Sequence, residues 1–250
     1  MVIIWRGWFT RLFRSGLVLV QPSVRLSLAI LPLMCAGFLL FVLLKYSAAT
    51  VRSDNLWVLG YFVFGAAWIG ASQFAFGLLG IAMRDDVIER RNPSAAWVTA
   101  AQLLAGTFCI AGANVGNGPG PEVVAFCALL STVTLLLVWL LFDAIASASE
   151  TITVERNSAA GIRVAGWLTA VGMVCGASVT GDWRGASRTL SESAHYIWPM
   201  VLFSFLVASF ERTVGKRPAL ADRLKAGASA TLAAVSVALA VAYVWKRGLH

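Results

Sequence analysis

A chain of 250 residues that is 59% hydrophobic and only 13% charged carries half the charge of a soluble domain, in which about a quarter of residues are ionisable. With a mean hydropathy of +0.78, this excludes an ordinary water-soluble globular protein. The net charge of +8 does not point to nucleic acid. Basic residues flanking membrane spans hold them against anionic head groups, so the lipid bilayer is the expected partner and no nucleic acid is.

Residues 1–25 read as a basic amphipathic lead-in. Ile3, Ile4, Trp5, Trp8, Phe9, Leu12 and Phe13 alternate with Arg6, Arg11 and Arg14, the pattern of a short helix lying in the cytoplasmic interface. The plain reading is a segment that orients the first span; lipid or curvature sensing is the sharper one. Gly16–Val20 is too short for a signal-peptide core, and no small-residue cleavage site follows it.

Apolar runs then predict seven spans, at Leu26–Leu44, Trp57–Met83, Ala95–Ala113, Val123–Ile145, Gly161–Thr180, Tyr196–Phe210 and Ala226–Trp245. Each approaches the roughly 20 residues that cross about 30 Å of hydrocarbon as a helix. The fold class is therefore an all-α polytopic membrane bundle. Its parts are a first span with its outer loop (26–56), a central region (57–183) and a C-terminal pair (184–250). The sixth span is short and has Pro199 near its start.

Basic residues set the orientation. With the N-terminus inside, the inner side holds Arg6, Arg11, Arg14, Arg25, Arg84, Arg90, Arg91, Arg156, Arg163, Arg212, Lys216, Arg217, Arg223 and Lys225. The outer side holds only Lys45, Arg52, Arg184, Arg188, Lys246 and Arg247. Positive charge favours the cytoplasmic side, which predicts a cytoplasmic N-terminus. Trp57, Trp183, Trp198 and Trp245 fall at predicted outer ends, as interfacial anchors do.

The central region repeats itself. Asp85-Asp86-Val87-Ile88-Glu89-Arg90-Arg91-Asn92-Pro93-Ser94-Ala95-Ala96 falls on Glu150-Thr151-Ile152-Thr153-Val154-Glu155-Arg156-Asn157-Ser158-Ala159-Ala160-Gly161. Ala100, Leu103 and Gly116 fall on Ala165, Leu168 and Gly181 at the same offset. Each copy is a helical hairpin around a cytoplasmic turn. A shift of two spans preserves orientation, so the copies are parallel repeats about an axis along the membrane normal. Asn92 and Asn157 suit helix N-caps, Pro93 suits the first helical position, and Arg91 and Arg156 suit head-group anchors. Capping and anchoring is the plain role for this motif; a cytoplasmic docking or ion-coordinating surface is the sharper one.

These segments resemble the YjfL-type family of bacterial inner-membrane proteins (domain of unknown function three-fifty). The resemblance rests on Glu89-Arg90-Arg91-Asn92-Pro93-Ser94-Ala95-Ala96 and Glu155-Arg156-Asn157-Ser158-Ala159-Ala160-Gly161 and covers about Trp57 to Trp183. It implies a two-hairpin membrane fold, an inner-membrane location and no established activity. Some members are encoded near envelope-stress proteins, which implies a cytoplasmic stress-response partner. The first span and the final pair depart from that pattern. Asp222-Arg223 before Ala226-Gly227 resembles a degraded third turn.

Chemistry is sparse. Two histidines (His195 and His250) argue against a histidine-based metal cluster, and Glu192 with His195 makes a single E-x-x-H where a dimetal bundle needs two. No phosphate-binding or nucleophile motif is present, so neither catalytic residues nor a cofactor nor a metal is expected. The four cysteines lie in apolar runs and read as small hydrophobes. Polar groups within spans are the default functional candidates: Gln73, Asp143 and Arg163, with Asp143 and Arg163 at similar depth, where an ion pair or snorkelling to the interface is the plain reading and a gate or proton-relay pair the sharper one. Gly172 and Gly176 form a GxxxG on the fifth span, a close-packing surface that serves the bundle or a homo-oligomer seam. A non-enzymatic structural protein is the preferred function, and a channel or transporter the alternative.

Overall fold

A computed structural model describes residues 2–14, 22–215 and 226–247. Ten α-helices are described: α1 (Val2–Arg14), α2 (Pro22–Tyr46), α3 (Ala49–Arg52), α4 (Asn55–Leu78), α5 (Pro93–Ala113), α6 (Pro121–Ala146), α7 (Ala148–Thr153), α8 (Ser158–Ala177), α9 (Ala186–Gly215) and α10 (Ala226–Arg247). A π-helical segment, Met83–Glu89, lies between α4 and α5. Among the described residues there is no named strand, and seven helices are long and apolar enough to cross a membrane. The chain is a multi-pass, all-α membrane protein. Asp222 and Arg223, and the Gly16–Val20 patch, lie outside the described residues.

Local chemistry sets the helix ends. Asp54 caps α4 by accepting from the Leu56 amide, and proline opens α5 and α6 at Pro93 and Pro121. Ser147, at a φ of 51°, ends α6 in a left-handed turn and starts α7. The second span ends earlier than expected, at Leu78 rather than Met83, because Gly80 at φ 111° turns the chain out of the helix. The sixth span is longer than its apolar run. The polar turns from Ala186 to His195 and from Glu211 to Gly215 continue the helix, and Pro199 lies within it.

α5 and α8 form the centre. They run parallel, are packed against each other along their length and are the most buried spans. α2, α4 and α6 surround α5, while α9 and α10 cover α8. α10 is largely exposed, as expected of a helix that faces lipid. An aromatic core of Phe76, Trp139, Phe142 and Trp167 joins α4, α6 and α8; the Phe142 and Trp167 rings stack with centroids 3.8 Å apart. Their indoles are satisfied: Trp139 donates to the Leu79 carbonyl and Trp167 to the Ser204 hydroxyl.

α1 is amphipathic as expected but docks on the bundle as well. Trp5 donates to the Ala66 carbonyl at 3.0 Å, halfway along α4, and Trp8 to the Leu28 carbonyl at 3.1 Å. Arg25 Nε donates back to the Leu12 carbonyl, so the lead-in and the first span are tied together.

Candidate functional site: paired turns and buried polar groups

Both Arg-Asn turns are closed by the same backbone bonds. Arg90 N–H donates to the Asp85 carbonyl and Asn92 N–H to that of Asp86; in the second turn Glu155 donates to Glu150 and Asn157 to Thr151. Arg91 (φ 53°) and Arg156 (φ 55°) both take the left-handed conformation, which costs a non-glycine residue about 1 kcal/mol or more. Their side chains are exposed. Each following Asn is an N-cap: Asn92 Oδ1 accepts from the Ser94 and Ala95 amides, and Asn157 Oδ1 from Ala160. The first turn adds the π-helical segment, anchored by Asp86, which accepts from the Ala82 amide and from Arg90.

The two turns lie side by side, but their contacts are unequal. Asn92 Nδ2 donates across to the Ile152 carbonyl at 2.6 Å, and Ser94 Oγ to the Asn157 carbonyl at 2.8 Å. Asn92 is buried and has no counterpart in its bridging role, because Asn157 is only half-buried and only caps. Asn157→Ser or Asp should therefore be nearly silent, with Asn157→Ala costing about 1 kcal/mol. Asn92 should tolerate none of these, because Ser and Ala lose the bridge and Asp sets a carboxylate against a carbonyl. Detergent melting curves of all six variants test this; an Asn92→Asp protein that melts like the parent would sink it.

Arg163, on α8, faces Glu211 on α9. Nε and Oε1 are 2.6 Å apart and Nη2 and Oε2 2.7 Å, while Nη1 donates to Ser229 Oγ on α10 at 2.8 Å. Both charged side chains are buried. The expected Asp143–Arg163 pair does not form. The left-handed turn at Ser147 swings α7 back, and Asp143 accepts from the Ser149 amide at 2.6 Å and hydroxyl at 2.8 Å. Arg163 instead points to the α9–α10 side of α8. A cavity of about 200 Å³ lies beside it, lined by Asn157, Glu155 and Glu211.

Gln73 Nε2 donates to Gln102 Oε1 at 2.8 Å, joining α4 and α5. Gln73 Oε1, Gln102 Nε2 and Thr99 Oγ1 are buried without a hydrogen-bond partner among the described residues. The glycines sort by neighbour. A Cβ on Gly172 would overlap Ala105, one on Gly176 the Phe108 carbonyl, and one on Gly112 the Gly176 carbonyl, all in the α5–α8 seam. Gly166 faces Ala233 of α10, and Gly106 faces Ser72 of α4.

At the end of the bundle away from the turns, the two following loops also join. Gly181 N–H donates to the Val115 carbonyl, Trp183 N–H to Asn117, and Asn117 donates through backbone and side chain to Asp182 Oδ1 at 2.8 and 2.9 Å. Those two bonds hold the Asp182 carboxyl below its ordinary pKa. A cavity of about 350 Å³ opens here. Glu192 accepts from Arg188 and His195 Nδ1 lies 2.8 Å from the Ser191 carbonyl, so each is engaged on its own exposed helix turn.

Sequence reasoning missed Glu211, Gln102 and Asp182. Glu211 was the one available signal, an acid at the end of an apolar run facing an arginine at like depth. No curated protein and no solved structure matches the chain. One family model matches residues 25–179, which takes in the first span together with both turns and ends at the close of α8. With α2 inside the matched region and α9 and α10 outside it, the chain belongs to the Domain of Unknown Function family DUF350.

Proposed function

We propose that this protein is a non-enzymatic scaffold of the bacterial inner membrane, with its N-terminus in the cytoplasm. Two parallel hairpin repeats form its rigid centre, and the paired turns serve as its docking face. The observation that carries this reading is the α5–α8 seam, where glycines set backbone against backbone and lock the two central helices together. Arg91 and Arg156 support the docking role. Both stand at positions where glycine would be conformationally cheaper, and both present guanidinium groups outward. The fitting partner is an acidic cytoplasmic protein of the envelope-stress kind, recognised by paired guanidiniums.

Purified protein in lipid vesicles should pass no K⁺, Na⁺, Cl⁻ or proton above the leak of empty vesicles. The second reading, a channel or transporter for an ion or small solute, is favoured by the unpaired amide atoms of Gln73 and Gln102. Protein-dependent flux that Gln102→Leu abolishes would establish it in place of the scaffold. A reporter active only in the cytoplasm should work when fused after Arg90 and fail after Gly118. Equal signals from the two fusions would overturn the orientation.

A further inference from the structure

We propose that the cavity at the loop end binds a small organic ammonium ion. Its volume, about 350 Å³, falls in the range of small-molecule sites. Trp57 and Tyr61 stand on one wall with ring centroids 6.2 Å apart, and Trp183 stands on another, braced by Phe126. Aromatic faces attract cations and organic skeletons alike.

Its charged wall residues are both carboxylates, Asp182 and Glu192, and no lysine or arginine among the described residues lines it. This is notable in a chain of net charge +8. Two arginines stand close outside the lining: Arg184, whose charge reaches both carboxylates, and Arg188, which makes an exposed pair with Glu192, the kind of contact that exchanges at little cost. Asp182 is oriented by Asn117, and both of those bonds fall on Oδ1.

The neutral polar groups give an independent sign. Ser47, Thr180 and Thr189 each donate their hydroxyl proton to a backbone carbonyl, those of Leu43, Ala177 and Gly185. Asn114, which is buried, directs Nδ2 to the Ile110 carbonyl. A hydroxyl whose proton is spent offers only lone pairs, so these four residues present acceptors. At these residues and at the two carboxylates an anion would meet only lone pairs, and an ammonium N–H would meet the partners it needs.

The proposal holds whether or not the protein moves solute, and equilibrium binding tests it apart from flux. Three probes of one shape separate charge from size: benzylammonium, benzyl alcohol and benzoate, titrated calorimetrically into the full chain in nanodiscs. Benzylammonium is expected to saturate at one site, benzyl alcohol to bind on the order of tenfold more weakly, which is about 1.4 kcal/mol, and benzoate not to bind. Asp182→Asn keeps the acceptor for Asn117 and removes the charge. It should weaken benzylammonium on the order of tenfold without lowering the melting temperature. Trp198→Ala, on an exposed face of α9, should change nothing. Equal affinity for the alcohol, saturable benzoate binding, an unaltered Asp182→Asn affinity or no saturable site for benzylammonium each overturns the proposal.

Discussion

Gly176→Leu is expected to unfold the centre of the bundle, losing about 3 kcal/mol or more in a detergent denaturation experiment. In lipid there is no hydrophobic drive between helices, so association rests on dispersion contacts that require close backbones. At this crossing the clash is with the Phe108 carbonyl, which is helix backbone and has no rotamer to retreat into. Overpacking against movable side chains usually costs about 1–3 kcal/mol, and here the helices themselves must separate. Gly172→Leu, which meets Ala105, should behave similarly. Leu206→Ala, on an exposed face of α9, should scarcely shift the midpoint. A Gly176→Leu protein with the parental midpoint would mean that α5 and α8 do not pack as described.

How much of this was legible follows from which forces are local. Spans and caps depend on neighbours in sequence, so the apolar runs and the Asn92 and Asn157 caps could be read directly. The small-residue faces were legible in part. Gly112, Gly172 and Gly176 meet at the seam, but Gly106 and Gly166 face α4 and α10, because glycine spacing marks close approach without naming the partner. Partner choice for buried polar groups is a matter of helix rotation and depth. Asp143 and Arg163 sit at similar depth on neighbouring spans, yet one turn of backbone at Ser147 satisfies Asp143 locally and frees Arg163 for Glu211. The loop-end cavity gathers residues from α3, α4, α5, α6, α9 and the loops after α2, α5 and α8, and no single stretch of sequence carries its pattern.

Removing either member of the Arg163–Glu211 pair is expected to be the most damaging charge change in the chain. Arg163 lies five residues into α8, about 8 Å from the helix start, and both its guanidinium forks are occupied. With Glu211→Leu the guanidinium is left buried with a single hydroxyl partner; with Arg163→Leu the carboxylate loses both of its hydrogen bonds. Breaking a buried pair in this way costs about 3–5 kcal/mol, because an uncompensated charge remains out of water. Deleting both charges removes the cause. Arg163→Met with Glu211→Leu should recover to within about 1 kcal/mol of the parent, since apolar side chains of similar size pack in place of an ion pair at little net cost. Denaturation midpoints of the two singles and the double decide it. Single variants at the parental midpoint would show that the charges reach water. A double variant as unstable as the sum of the singles would show that the pair binds α9 and α10 to α8 by more than mutual neutralisation.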